Sequence, residues 1–175
     1  AIARTFWLRS IVLVANLGLV GVLAPFWFPP LADWLRLTPA TFWLVLAHFA
    51  VTVVWIHIQM SLQAAKLPRT QGFLMMIERL VIFGGLFGLV AAANLTPSGA
   101  VICYIAAPAA MIFVGIYKLR SYIFAAFSVD RLFLKKIVAY SAPLAPMTLV
   151  GYLSGTYLDA IFVAKYLSIS DLGVY

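Results

Sequence analysis

The chain has 175 residues, of which 65% are apolar or aromatic and only 10% are charged. A soluble domain is about a quarter charged, so this composition excludes an ordinary soluble domain and indicates a protein that crosses a membrane several times. The net charge of +7 agrees with cytoplasmic loops rich in lysine and arginine, and it does not require a nucleic-acid partner.

Five nearly uncharged stretches are each long enough to span the bilayer, which takes about 20 helical residues. They are residues 11–28, 40–65, 72–94, 100–117 and 137–164. No alternating strand pattern is present, and helices satisfy every backbone group in lipid. The predicted fold class is therefore all-α, a polytopic membrane helix bundle of about five transmembrane helices. The chain starts at Ala1 without a methionine and stops just after an apolar run, so we expect it to be a fragment.

The segments between these stretches are predicted from proline, glycine and charge. Pro29 and Pro30 should end the first helix, with residues 31–37 forming a short interfacial helix. Residues 96–99, Thr-Pro-Ser-Gly, predict a tight turn between the third and fourth helices. At helical spacing, residues 121–136 place serine and basic side chains near one face and mainly apolar side chains on the opposite face. This pattern indicates a connection that lies on the membrane surface.

Lysine and arginine predict the orientation, because cytoplasmic loops accumulate them. Nine basic residues fall on one side of the membrane and two on the other. The nine are Arg4, Arg9, Lys66, Arg69, Lys118, Arg120, Arg131, Lys135 and Lys136, and the two are Arg36 and Lys165. We therefore expect the first residue of the chain to be cytoplasmic and the last to be outside.

The second helix carries a stripe of polar residues within about 60° of one another at 100° per residue. They are His48, Thr52, Gln59 and Gln63, with Trp55 on the same stripe. These side chains either bond to neighbouring helices or line a cavity, and His48 and Gln59 are candidates for substrate binding or ion coupling. His57 lies on the opposite face, so the two histidines do not form a metal pair, and no cofactor or metal site is predicted.

Glu78 and Arg79 enter the third helix about two turns beyond a basic loop. Adjacent helical residues point about 100° apart, so the two cannot be assumed to pair with each other. Arg79 either snorkels to anionic headgroups or lines a cavity, where its guanidinium can hold a phosphate with two hydrogen bonds. Both residues are candidates for substrate binding or coupling. The lone Cys103 is expected to pack among apolar side chains.

The fifth stretch contains two prolines and a carboxylate. Pro143 and Pro146 each remove a backbone donor and favour kinks that can act as gates. Asp159 lies at membrane depth, where an ionised side chain costs roughly 2.5–3.5 kcal/mol. Asp159 either forms a salt bridge with a neighbouring helix or belongs to a polar pathway, which makes it a candidate for ion coupling.

A block of residues near the end of the chain carries a resemblance to a known family. Residues 141–146, Ser-Ala-Pro-Leu-Ala-Pro, are followed by Asp159, Tyr166-Leu167 and the run Leu172-Gly173-Val174-Tyr175. This block resembles the start of the second half of polysaccharide-exporting flippases, and residues 60–87 are similar in a weaker way to a cytoplasmic connection and Arg-bearing helix there. The family is the multidrug, oligosaccharidyl-lipid and polysaccharide exporter superfamily, in its O-antigen type branch.

The resemblance implies two helix bundles around a central cavity. Residues 1–136 would be the end of the first bundle with its basic cytoplasmic connection, and residues 137–175 the start of the second. It also implies a flippase in the bacterial cytoplasmic membrane, whose substrate is an undecaprenyl-pyrophosphate-linked glycan. Arg79 would be the partner of the pyrophosphate, and Asp159 could couple transport to a proton or to sodium.

Two other functions stay open from the sequence. One is a cation-coupled drug or metabolite exporter of the same superfamily, which an intramembrane Asp159 would suit. The other is a membrane-embedded glycosyl- or acyltransferase, which needs a nucleophile or base and often a carboxylate pair. Asp159 and Asp171 are twelve residues apart with a basic residue between them, and no DxD or HxxxxD pattern occurs, so we do not expect an enzyme.

Overall fold

A computed structural model of the chain describes residues 2–35 and 38–124, together with the single positions Lys135 and Ala139, and it describes no side chain in 27–35. The chain divides into two compact units, Ala1–Phe127 and Ser128–Tyr175. Regular structure in the described part is entirely helical: α1 (Ile2–Leu35), α2 (Pro39–Ala64), α3 (Pro68–Ala91) and α4 (Pro97–Ile123). The predicted division at residues 136 and 137 stays a prediction.

Each of the four helices contains a segment long and apolar enough to cross a membrane: Ile2–Phe26, Pro39–Ala64, Pro68–Ala91 and Pro97–Ile123. The predicted all-α, polytopic membrane bundle is confirmed for the described part of the chain. Apart from Ala139, the fifth predicted helix, 137–164, lies outside the described residues. The same is true of most of the predicted surface connection 121–136, of which Ser121 to Ile123 belong to α4.

Local sequence explains where α2, α3 and α4 begin and where two of them end. Each begins with a proline at a first-turn position, where the missing N–H is not needed. Thr38 caps α2 by accepting a hydrogen bond from the Thr41 amide, and Thr96 caps α4 by accepting one from the Gly99 amide. Lys66 and Ala93 follow α2 and α3 with positive φ angles of 58° and 51°, the left-handed conformation that closes a Schellman motif.

Three predicted boundaries are wrong. Pro29 and Pro30 do not end the first helix, and residues 31–35 are not a separate helix, because α1 continues to Leu35. Proline removes one intrahelical hydrogen bond and favours a kink, but it does not oblige a helix to end. Residues 97–99 are the first turn of α4 and not a free turn, because the Thr96 side chain caps them.

The helices pack most tightly at one end of this unit, which holds the start of α1 and the ends of α2 and α4. The buried apolar cluster there comprises Phe6, Trp55, Ile58, Leu62, Ala65, Leu74, Met111, Leu119 and Ile123. Trp7 Nε1 donates a 2.9 Å hydrogen bond to the Ile123 carbonyl, which joins the start of α1 to the end of α4. Phe6 lies against His57, with 4.9 Å between the ring centroids, so the start of α1 also meets the second half of α2.

Candidate functional site

A buried hydrogen bond links α2 to α3, and its donor, Trp55, belongs to the buried apolar cluster. Trp55 Nε1 donates to Glu78 Oε2 over 2.9 Å. Trp55 is 2% exposed and Glu78 6%, so both partners are withdrawn from the surface of the described bundle. Trp55 lies nine residues before the end of α2 and Glu78 ten residues after the start of α3, which places both about 14–15 Å from the loop that joins these helices. The bond therefore lies near the middle of two spanning helices.

Arg79 has the opposite environment, although it is the next residue. Its side chain is exposed, and the part of the chain that the structure describes supplies no hydrogen-bond or ion-pair partner for it. Arg79 lies eleven residues into α3, about 16 Å along the helix axis from Pro68. The two adjacent side chains therefore have different surroundings. Glu78 is buried and bonded to Trp55, whereas Arg79 lies on the exposed face of α3.

A second polar contact joins α1 to the other face of α2. His57, 8% exposed, places Nε2 2.9 Å from Ser10 Oγ, and the Ser10 hydroxyl donates to the Phe6 carbonyl at 2.9 Å. The hydroxyl hydrogen of Ser10 is used in the bond to that carbonyl, so the pattern requires a hydrogen on His57 Nε2, which donates to Ser10 Oγ. We infer that this histidine has a packing role, as a polar tie between two helices.

The predicted polar stripe of α2 is only partly drawn inward. His48, Thr52 and Gln59 are half-buried, whereas Gln63 is exposed. His48 lies edge-on to Tyr104 of α4, with 6.0 Å between the ring centroids, and its Nδ1 atom is buried with no hydrogen-bond partner in the described part of the chain. The stripe therefore points partly towards α4, and its most buried member is Trp55.

The remaining predictions concern the fifth stretch, metal binding and Cys103. Asp159, Pro143 and Pro146 lie outside the described residues. Within the described ranges, no group of three His, Cys, Asp or Glu side chains could hold a metal ion. Cys103 is half-buried against Gly85 of α3, where an added Cβ would lie 2.9 Å from the cysteine Sγ, so it packs at a close helix contact.

Sequence reasoning missed Trp55 as a partner of Glu78 and Ser10 as a partner of His57. One signal was present, because a buried tryptophan needs an acceptor for its indole N–H. The identity of that acceptor depends on the rotation of α2 and α3 about their own axes. The spacing of residues along the sequence does not specify this rotation.

Comparison with protein-family models, with curated proteins and with solved structures finds no match to this chain. The four apolar helices define a multi-pass membrane protein. Within that class, α3 carries on its exposed face a cation, Arg79, that has no partner in the described part of the chain, and next to it in sequence a buried carboxyl group, Glu78, that is bonded to Trp55 of α2.

Proposed function

We propose that the protein is a transporter that moves a lipid-linked oligosaccharide across a bacterial cytoplasmic membrane by alternating access, with Arg79 binding the pyrophosphate of that lipid. The observation that supports this proposal is the state of Arg79, which is exposed in the middle of a spanning helix and has no partner among the residues that the structure describes. A multi-pass helix bundle is the kind of scaffold that such a carrier requires.

The chemistry of Arg79 favours a phosphate ligand. A cation at membrane depth is costly unless it faces water or an anion, so a guanidinium that finds no partner within the described helices is a reason to look for an anionic ligand. The planar guanidinium matches the geometry of phosphate oxygens and binds them through two parallel hydrogen bonds. Glu78 does not compete for Arg79, because its carboxyl group lies within the bundle and is bonded to Trp55.

The proposal places the start of the chain in the cytoplasm and its end outside. In the described part, Arg4, Arg9, Lys66, Arg69 and Arg120 are near the start of α1, the α2–α3 loop or the end of α4. These regions lie on one side because successive spanning helices alternate in direction, and the cytoplasmic leaflet attracts such residues.

The proposed second bundle starts at residue 137 and contributes Asp159, which would couple transport to a proton or to sodium. His48 and Gln59 would supply polar contacts along the substrate path, since the buried Nδ1 atom of His48 has no hydrogen-bond partner among the described helices. Pro143 and Pro146 would form the gate of that bundle. Membrane lipids surround the many exposed apolar side chains of α1 to α4.

The test is flipping of a fluorescent polyprenyl-pyrophosphate oligosaccharide by the complete protein in vesicles. Arg79→Ala removes a charge-assisted contact of about 1.5–3 kcal/mol, so flipping and lipid binding should each fall roughly 10- to 100-fold. Arg79→Lys should keep part of both, because a lysine retains the charge without the planar fork. The matched control is Arg69→Ala, which removes an exposed arginine from the first turn of the same helix and should leave flipping unchanged.

Two results would count against the proposal. If Arg79→Ala binds and flips the lipid as well as the parent, Arg79 only snorkels to headgroups. If the parent protein flips a drug-like cation but no pyrophosphate-linked lipid, the cation-coupled exporter becomes the better reading.

A further inference from the structure

We propose that Trp55 is a positioning residue: its bond to Glu78 fixes the rotation of α3 about its own axis and so keeps Arg79 on the outer face. The side chains that α3 buries, Leu74, Glu78 and Ile82, are spaced by four residues and form one stripe. Glu78 is the centre of that stripe and the one member able to form a side-chain hydrogen bond.

A second stripe is formed by the residues that directly follow these three in sequence, and it lies about 100° away around α3. Met75, Arg79 and Phe83 have the same spacing of four and are exposed, Phe83 at 70%. A rotation of α3 by about 100° would bring this second stripe into the buried position of the first, and then Arg79 would take the place of Glu78. Both stripes flank their central residue with apolar side chains, so apolar content does not choose between them.

The bilayer does not choose either, because lipid tails are as apolar as the helix faces and supply no hydrophobic force between helices. The buried hydrogen bond between Trp55 and Glu78 does discriminate, because it forms in one rotation only. A buried polar pair that sets register is the best-attested use of such pairs. Gly85 extends the same stripe seven residues on and allows α3 to approach Cys103, but it has no side chain to form a bond.

Position 83 reports this rotation without altering Glu78, Trp55 or Arg79. We would attach a nitroxide spin label to the cysteine of a Phe83→Cys variant of the complete protein in vesicles. Cys103→Ala would first remove the cysteine of the printed sequence, so that it is not labelled. In the parent the label should be mobile, because Phe83 is exposed. Trp55→Phe keeps an aromatic ring but removes the N–H, which leaves the buried Glu78 unpaired. We expect an immobile component to appear, with the ratio of immobile to mobile label rising about fivefold or more.

Two comparisons separate positioning from general loosening. Glu78→Gln retains an oxygen that accepts the Trp55 N–H, so its label should stay as mobile as that of the parent. A label at Ile102 of α4, which is 52% exposed, should be unchanged by Trp55→Phe. The inference is overturned if Trp55→Phe leaves the label at position 83 mobile, or if it immobilises the labels at positions 83 and 102 alike.

The consequence for transport rests on the proposed function of Arg79. Trp55→Phe should then lower lipid flipping about fivefold, and Glu78→Gln, which keeps an acceptor for the Trp55 N–H, should lower it less. If Arg79→Ala flips normally, the proposed function fails, while the spin label still decides whether Trp55 positions α3. Suppose that Trp55→Phe immobilises the label at position 83 and that Arg79→Ala is inactive. If Trp55→Phe then flips the lipid normally, the positioning role of Trp55 in transport is refuted.

Discussion

Replacing Gly115 by alanine should weaken the contact between α2 and α4. A Cβ built at Gly115 would clash with Ile58 Cγ2 and would lie 3.7 Å from Trp55 Cζ3. Ile58 cannot easily turn away, because its β-branched side chain has one strongly preferred rotamer in a helix and is 2% exposed. The absence of a side chain at Gly115 therefore sets how closely these two helices approach.

Inserting one methyl group into such a contact costs about 1–3 kcal/mol. An alanine also favours the helix over glycine by up to about 1 kcal/mol, which partly hides the clash. Gly84→Ala is the matched control, because a Cβ there meets nothing within 4 Å and gains the same helix propensity. The difference in unfolding free energy between these two variants should therefore be about 1–3 kcal/mol, with Gly115→Ala the less stable.

Unfolding in mixed detergent micelles, followed by tryptophan fluorescence, measures that difference. Adding Ile58→Leu to Gly115→Ala removes the methyl group at the branch and should recover most of the loss. The reasoning about close approach is refuted if Gly115→Ala is as stable as Gly84→Ala, or if Ile58→Leu makes the double variant worse by the same amount as it makes the parent.

Three further predictions concern helix ends and topology. Trp7→Phe keeps the ring but removes the bond to the Ile123 carbonyl, so it should lower the unfolding free energy by about 0.5–1.5 kcal/mol, measured in the same micelles; an unchanged value would mean that the bond adds nothing. Ala93→Gly should raise it by about 0.5–1 kcal/mol, because glycine accepts the φ of 51° without strain; a loss of stability would contradict this. Cysteines placed at Lys66 and Asn94 should react with a membrane-impermeant thiol reagent from the cytoplasmic and the outer face respectively, and the reverse pattern would invert the proposed orientation.

The bilayer explains why the helices could be predicted well. A chain that must satisfy every backbone group in lipid has almost no alternative to helices, so hydropathy alone located α2 to within one residue at each end. The errors concern the exact residues at which helices begin and end, which apolar content does not specify. Apolar counting began α3 at residue 72 and α4 at residue 100, but the caps and first-turn prolines start them at Pro68 and Pro97, and Pro29 with Pro30 did not end α1.

The sequence also singled out Glu78 and Arg79, because charges inside apolar runs are rare and costly. It could not assign them different environments. At 100° apart on one helix, either residue could have faced the neighbouring helices, and His57 was placed away from the polar stripe although the structure buries it beside Ser10.

Composition and hydropathy by themselves determined that this is a helical membrane protein, located an apolar stretch within each of the four described helices, and singled out Glu78 and Arg79 inside α3. Only the tertiary structure decided that Trp55 bonds to Glu78, that Gly115 lets α2 meet α4 closely, and that Arg79 is left without a partner among the described residues. The physical reason is that lipid specifies which residues enter the membrane, whereas the rotation and separation of helices within it depend on a few hydrogen bonds and close contacts between residues far apart in the chain.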